Sequence, residues 1–103
     1  MECPFGARHE DNDLEGRLVA MHTFTKGRSC WEMHPPGAEV VLCTAGEITV
    51  LREQADATVT RIGLLAGEYA INPPGVWHTA DVDTAATCVF ITAGSATEHK
   101  ARH

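Results

Sequence analysis

No apolar run in this chain approaches the roughly 20 residues that a membrane-spanning helix requires, so a helical membrane protein is excluded. Positive charge is scarce: 8 Lys and Arg stand against 14 Asp and Glu, a formal net charge of −6. Nucleic acid calls for clustered basic side chains on one face, and these are scattered, so no nucleic-acid partner is expected. Aromatics make up only 6% of the residues, so a core must be built largely from aliphatic side chains. Cysteine is limited to Cys3, Cys30, Cys43 and Cys88, with no C-x-x-C pair. That excludes a zinc knuckle and a thioredoxin-like motif. Reduced thiols in a cytoplasmic protein are expected, with Cys30, Cys43 and Cys88 serving as small core hydrophobes. The N-terminus has no basic start followed by an apolar stretch, so no signal peptide is expected. No convincing helical stripe is present, and there are no repeats; only 96–102 hints at a helix, and a fraying tail is the simpler reading.

What the chain does have is a series of short β-like runs separated by turn residues. The runs are 17–24, 29–34, 40–44, 47–52, 58–65, 69–72, 78–83 and 88–92. The breaks include Pro35-Pro36-Gly37, Ala45-Gly46, Ala66-Gly67 and Pro73-Pro74-Gly75. Regular short strands of this kind mean an all-β sandwich or barrel. A chain of 103 residues makes one domain. The expected division is an arm over 1–13, a barrel over 14–95 and a tail over 96–103, the acidic run Glu10-Asp11-Asn12-Asp13 lying in the arm.

Two half-motifs carry the chemistry. The first is Glu32-x-His34-x4-Glu39-x6-Gly46, and the second is Gly67-x5-Pro73-x-Gly75-x2-His78. Residues at i and i+2 share a strand face, so Glu32 and His34 point the same way. Histidine and carboxylate are the side chains a divalent metal takes, and neither half completes a site alone. Together the halves resemble the two-part signature of the cupin superfamily, over roughly 28–93. In the first half, His34, Glu39 and Gly46 match, Glu32 replaces the usual first histidine, and the leading glycine is displaced by one place to Gly27. In the second half, Gly67, Pro73, Gly75 and His78 match, and Val82 replaces the terminal asparagine.

The resemblance implies an all-β double-stranded β-helix, the jelly-roll cupin barrel. It also implies a divalent metal ion held by Glu32, His34, Glu39 and His78. Two histidines and two carboxylates favour Fe²⁺ or Mn²⁺, with Zn²⁺ or Ni²⁺ as substitutes. Glu32 is expected either to ligate or to act as the catalytic acid/base group. A metal-free pocket is the competing reading, in which His34 and His78 are core histidines and Glu39 follows a turn.

Strand parity, anchored on Glu32 and His34, puts Arg28 on the same face as a candidate substrate anchor, the alternative being a solvent-facing residue at a strand end. Tyr69, Ile71 and Phe90 are read as further lining of a substrate pocket, with Val41, Ile48, Val50, Ile62 and Leu64 completing its apolar wall. Trp31, Met33 and Trp77 fall outside, which points to a homodimer interface there. His9, His22, His99 and His103 receive no role.

The function expected is a metal-dependent small-molecule enzyme, first an oxygen-using, dioxygenase-like oxidoreductase. The alternatives are a non-catalytic module that binds or senses a small molecule, and a metal-free acid/base isomerase or lyase.

Overall fold

A computed structural model of the chain describes residues 17–35, 37–92 and 97–102. The expected arm over 1–13 lies outside these. The described residues form eight strands and no helix: β1 (Leu18–Phe24), β2 (Cys30–Met33), β3 (Glu39–Glu53), β4 (Val59–Leu65), β5 (Tyr69–Asn72), β6 (His78–Asp81), β7 (Ala86–Thr92) and β8 (Glu98–Ala101). Every pairing is antiparallel. The strands form one curled sheet in the order β1-β7-β3-β6-β2-β8, with β4 and β5 also paired to β3. This is the jelly-roll architecture.

The expected break at Ala45-Gly46 is instead a bend inside one 15-residue strand, β3. Its first half pairs with β5 and β7, and its second half with β4 and β6. The register shifts between Cys43 and Ala45. An extra residue in one strand reverses the side-chain alternation. Odd-numbered Val41 and Cys43 are buried before the bend, and even-numbered Ile48 and Val50 after it. Gly46 makes the bend possible: its φ is +77°, and an added Cβ would lie 2.1 Å from the Ala85 carbonyl oxygen.

The core is aliphatic and sulfur-rich: Val41, Cys43, Ile48, Val50, Leu64, Ala70, Ala86 and Cys88, with Phe24, Ile62 and Phe90 packed against it. Cys43 and Cys88 face each other across β3 and β7 as buried free thiols, as expected of core cysteines. Cys30 differs from the expectation of a reduced thiol. It is disulfide-bonded.

Residues 98–101, expected in a tail, form β8 and pair with β2 in register, Glu32 opposite His99 and Trp31 opposite Lys100. The strand alters the surface expected to dimerise. Lys100 lies 4.6 Å from the Trp77 ring and pairs with Glu53 at 2.9 Å. Trp31 is buried within the chain, and Met33 and Trp77 are half-buried. No helix among the described residues is long and apolar enough to cross a membrane.

Candidate metal centre

The two half-motifs meet at one rim of the barrel because their turns end side by side: the Gly75 amide donates to the His34 carbonyl at 3.2 Å. His34 follows the last residue of β2, Glu39 opens β3 and His78 opens β6. Cross-strand register does the rest, placing Glu32 opposite His78 and Glu39 opposite Asn72.

His34, Glu39 and His78 converge, each offering one ligand atom within 4.8 Å of the others. The His34 Nε2 lies 3.5 Å from Glu39 Oε2, and the His78 Nδ1 lies 3.4 Å from Glu39 Oε1. The two imidazole rings stack with centroids 5.2 Å apart. All three side chains are buried. The His78 Nε2 is buried without a hydrogen-bond partner, and the His34 Nε2 is buried with Glu39 Oε2 at 3.5 Å as its long contact. Each histidine holds one nitrogen 3.4 to 3.5 Å from the Glu39 carboxylate, at or beyond the long end of a hydrogen bond, so the three donors are spaced to share a cation. The donor set fits a divalent ion.

Neighbouring side chains orient the three. Thr97 Oγ1 lies 3.0 Å from His34 Nδ1, which directs the other ring nitrogen toward Glu39. Asn72, almost fully buried, donates to Glu39 Oε1 at 3.2 Å. Arg52 Nε in turn donates to Asn72 Oδ1 at 2.9 Å. Burial works to raise the Glu39 carboxyl, but the hydrogen bond from His34, the charges of His78 and His34 and the Asn72 amide outweigh it, and the group is held below its usual range. Burial pushes His78 down, against the opposing pull of Glu39. An ionised carboxylate and a neutral imidazole are the forms that ligate metal.

Glu32 stands beside the trio rather than within it. One oxygen, Oε2, accepts from Arg28 Nη2 at 2.6 Å and lies 3.4 Å from His99 Nε2. The other, Oε1, lies 3.8 Å from His34 Nε2. Arg28 is therefore engaged with Glu32, while its guanidinium also lies 5.6 Å from the Phe24 ring centre. A small cavity of about 20 Å³ adjoins the site, with Arg28, Glu32 and Phe90 among its lining.

Tyr69 and Ile71 do not line that cavity. They are 61% and 50% exposed and point outward, while Ala70 and Asn72 are buried. Register is the reason: Glu39 faces inward, so its partner Asn72 does too, and Val41 carries Ala70 with it. The sequence reading also missed Asn72, Thr97 and His99. Asn72 was legible once Glu39 was paired with it. Thr97 and His99 share a face by their i, i+2 spacing, but only the formation of β8 places them at the site.

The curled antiparallel sheet with this cluster at its rim is a cupin-type fold. Among solved structures, oxalate oxidase matches at a TM-score of 0.66 and 21% identity, over 80% of this chain and 45% of that one. Oxalate decarboxylase from Bacillus subtilis matches at 0.70 and 15%, over 85% of this chain and 24% of that one. The cupin domain of Drosophila melanogaster CENP-C matches at 0.62 and 15%, over 72% of this chain and 59% of that one. At these identities the likeness is one of fold, and the chain spans less than two thirds of each of these proteins. The Bacillus subtilis oxalate decarboxylase carries Mn(II) centres. No family model and no curated protein matches the sequence.

Proposed function

We propose that the chain is a metal-dependent small-molecule enzyme of the cupin type, its Fe²⁺ or Mn²⁺ held by His34, Glu39 and His78. The observation that carries this reading is the convergence of two buried histidines on one buried carboxylate, each of the three offering a ligand atom within 4.8 Å of the others. A bound ion of this kind supplies a Lewis acid and, with O₂, a one-electron partner. The chain's own residues supply the rest. Asn72 and Thr97 hold Glu39 and His34 in place. Glu32 is assigned to acid/base work rather than ligation, because Arg28 occupies one of its oxygens and leaves Oε1 toward the site. Val41, Val50 and Phe90 line the small cavity beside the site and give it an apolar wall against which a substrate would pack.

Oxidation of such a substrate by O₂ is the reaction we assign. Oxalate oxidase, an oxidoreductase by its name, shares the fold, as does a decarboxylase, and fold does not choose between them. The test is oxygen consumption by anaerobically purified protein reloaded with Fe²⁺ or Mn²⁺, over a panel of small carboxylic acids and enols. Metal-dependent uptake with at least one compound, lost on chelation, is expected. Compounds that bind without turnover under both metals would make the chain a binding module.

A further inference from the structure

Arg52 is a half-buried residue near the end of β3, and cross-strand register sets it beside the candidate metal centre. Thr60, Arg52, His78, Glu32 and His99 form one row across β4, β3, β6, β2 and β8, each residue opposite the next. Residues directly opposite one another share a face of the sheet, so Arg52 lies on the face of His78 and Glu32. Ile48 and Val50, at alternate places before it in β3, are buried on that face. From there Arg52 reaches across to β5, which pairs with the other half of β3. Its Nε donates to Asn72 Oδ1 at 2.9 Å, and its Nη2 donates to the Ile71 carbonyl. The Asn72 amide nitrogen then donates to Glu39 Oε1 at 3.2 Å.

We propose that Arg52 is a positioning residue for the metal centre, acting through Asn72 on the orientation and charge of Glu39; this rests on the metal reading given above. Three features carry it. First, direction: a guanidinium only donates hydrogen bonds, so Arg52 fixes which way the Asn72 amide faces, Oδ1 toward Arg52 and Nδ2 toward Glu39. The reversed amide would set its carbonyl oxygen against the carboxylate and its NH₂ against the guanidinium, two contacts between like poles. Second, a two-point hold: two N–H groups of the planar guanidinium engage successive residues of β5, Ile71 and Asn72. The amide is thereby held against fixed backbone rather than by a single swinging bond. Third, charge: Arg28 and Arg102 each pair with a carboxylate, whereas among the described residues Arg52 pairs with none and spends its donors on Asn72 and Ile71. A hydrogen bond strengthens when the group that donates it is itself polarised. Asn72 therefore grips Glu39 Oε1 more firmly with Arg52 in place than without it. A residue on the second half of β3 and one on β5 thus fix the carboxylate that opens the first half of β3.

The test measures the Mn²⁺ affinity of the full chain, from the electron paramagnetic resonance signal of unbound Mn²⁺, for the wild type, Arg52→Met, Asn72→Ala and the double variant. Arg52→Met keeps the apolar stem and removes the donors. It should weaken binding about 10–100-fold and change the spectrum of the bound ion. In the Asn72→Ala background the same substitution should add less than about twofold, because the relay is already cut. An Arg52 that only supported the fold would weaken both backgrounds equally. Arg52→Lys keeps the charge without the two-point hold and should recover little of the loss. A second readout needs no metal: hydrogen exchange of the Asn72 side-chain amide, followed by NMR in chelator-treated protein. It should be about tenfold faster in Arg52→Met than in the wild type. A wild type that binds no Mn²⁺ would overturn the metal reading, and the exchange rates separate that failure from a failure of the hold on Asn72. Equal losses in the two backgrounds, wild-type affinity in Arg52→Met or Arg52→Lys, or an Asn72 amide that exchanges no faster in Arg52→Met would overturn the proposal.

Discussion

Asn72 shows how much of the site depends on side chains that do no chemistry. Its amide donates to Glu39 and accepts from Arg52, in a setting that leaves it 1% exposed. Removing one partner from a buried polar chain leaves the others unsatisfied, at about 1–3 kcal/mol. Asn72→Ala should therefore lower the denaturant-unfolding free energy by about 2 kcal/mol, and should weaken metal binding by removing the donor that orients Glu39. Equilibrium urea unfolding and metal titration check the two effects. The residues that could ligate were legible in the sequence because spacing between turns marks them. The residues that orient them were not. Asn72 reads as a turn former before Pro73, and Thr97 and His99 read as part of a tail. Only cross-strand pairing gives these three a common place, and pairing is a tertiary property.

At the scale of elements, turn residues made most strands visible. Runs expected at 58–65 and 69–72 appear as Val59–Leu65 and Tyr69–Asn72. Two misreadings have physical causes. Glu98–Ala101 is charged and short, with little β propensity of its own, and becomes a strand because β2 offers it a partner edge. Tyr69 and Ile71 were assigned inward because apolar residues usually are, yet their register sends them out. The bend in β3 gives a sharp contrast between two glycines. Gly46→Ala meets a carbonyl oxygen at 2.1 Å in a left-handed backbone, whereas a Cβ at Gly63 meets nothing within 4 Å. Gly46→Ala should cost about 3 kcal/mol or more, or prevent folding. Gly63→Ala should change stability by no more than about 1 kcal/mol, in the stabilising direction. Thermal melts of the two variants side by side decide this; equal melting temperatures would remove the bend from its place in the fold.

For the whole molecule, the buried site ties stability to pH. His78 is depressed from its ordinary 6.5 and Glu39 from its ordinary 4.5. A group depressed by folding contributes stability that is complete above its unfolded value and is lost as pH falls through its folded one. Chelator-treated protein should thus be equally stable from pH 7 to 8. It should lose stability first below about 6.5 through His78 and then below about 4.5 through Glu39. The step below 6.5 should shrink in His78→Ala. Melting temperatures across pH 4–8 for both proteins test it, and an undiminished step in the variant would assign the loss elsewhere.

The claim on which the account turns is that His34, Glu39 and His78 hold one divalent ion while Glu32 stands outside it. Elemental analysis addresses it directly, after each protein is reloaded with Mn²⁺, Fe²⁺ or Zn²⁺ and passed through a desalting column. The account predicts about one ion per chain in the wild type and in Glu32→Ala. His34→Ala and His78→Ala should lose most of it, since two remaining ligands hold a divalent ion poorly. Glu32→His, which supplies a third imidazole, should bind Zn²⁺ more tightly than the wild type. Wild-type protein that retains no metal under any of these conditions, or histidine variants that retain as much as the wild type, would contradict the account.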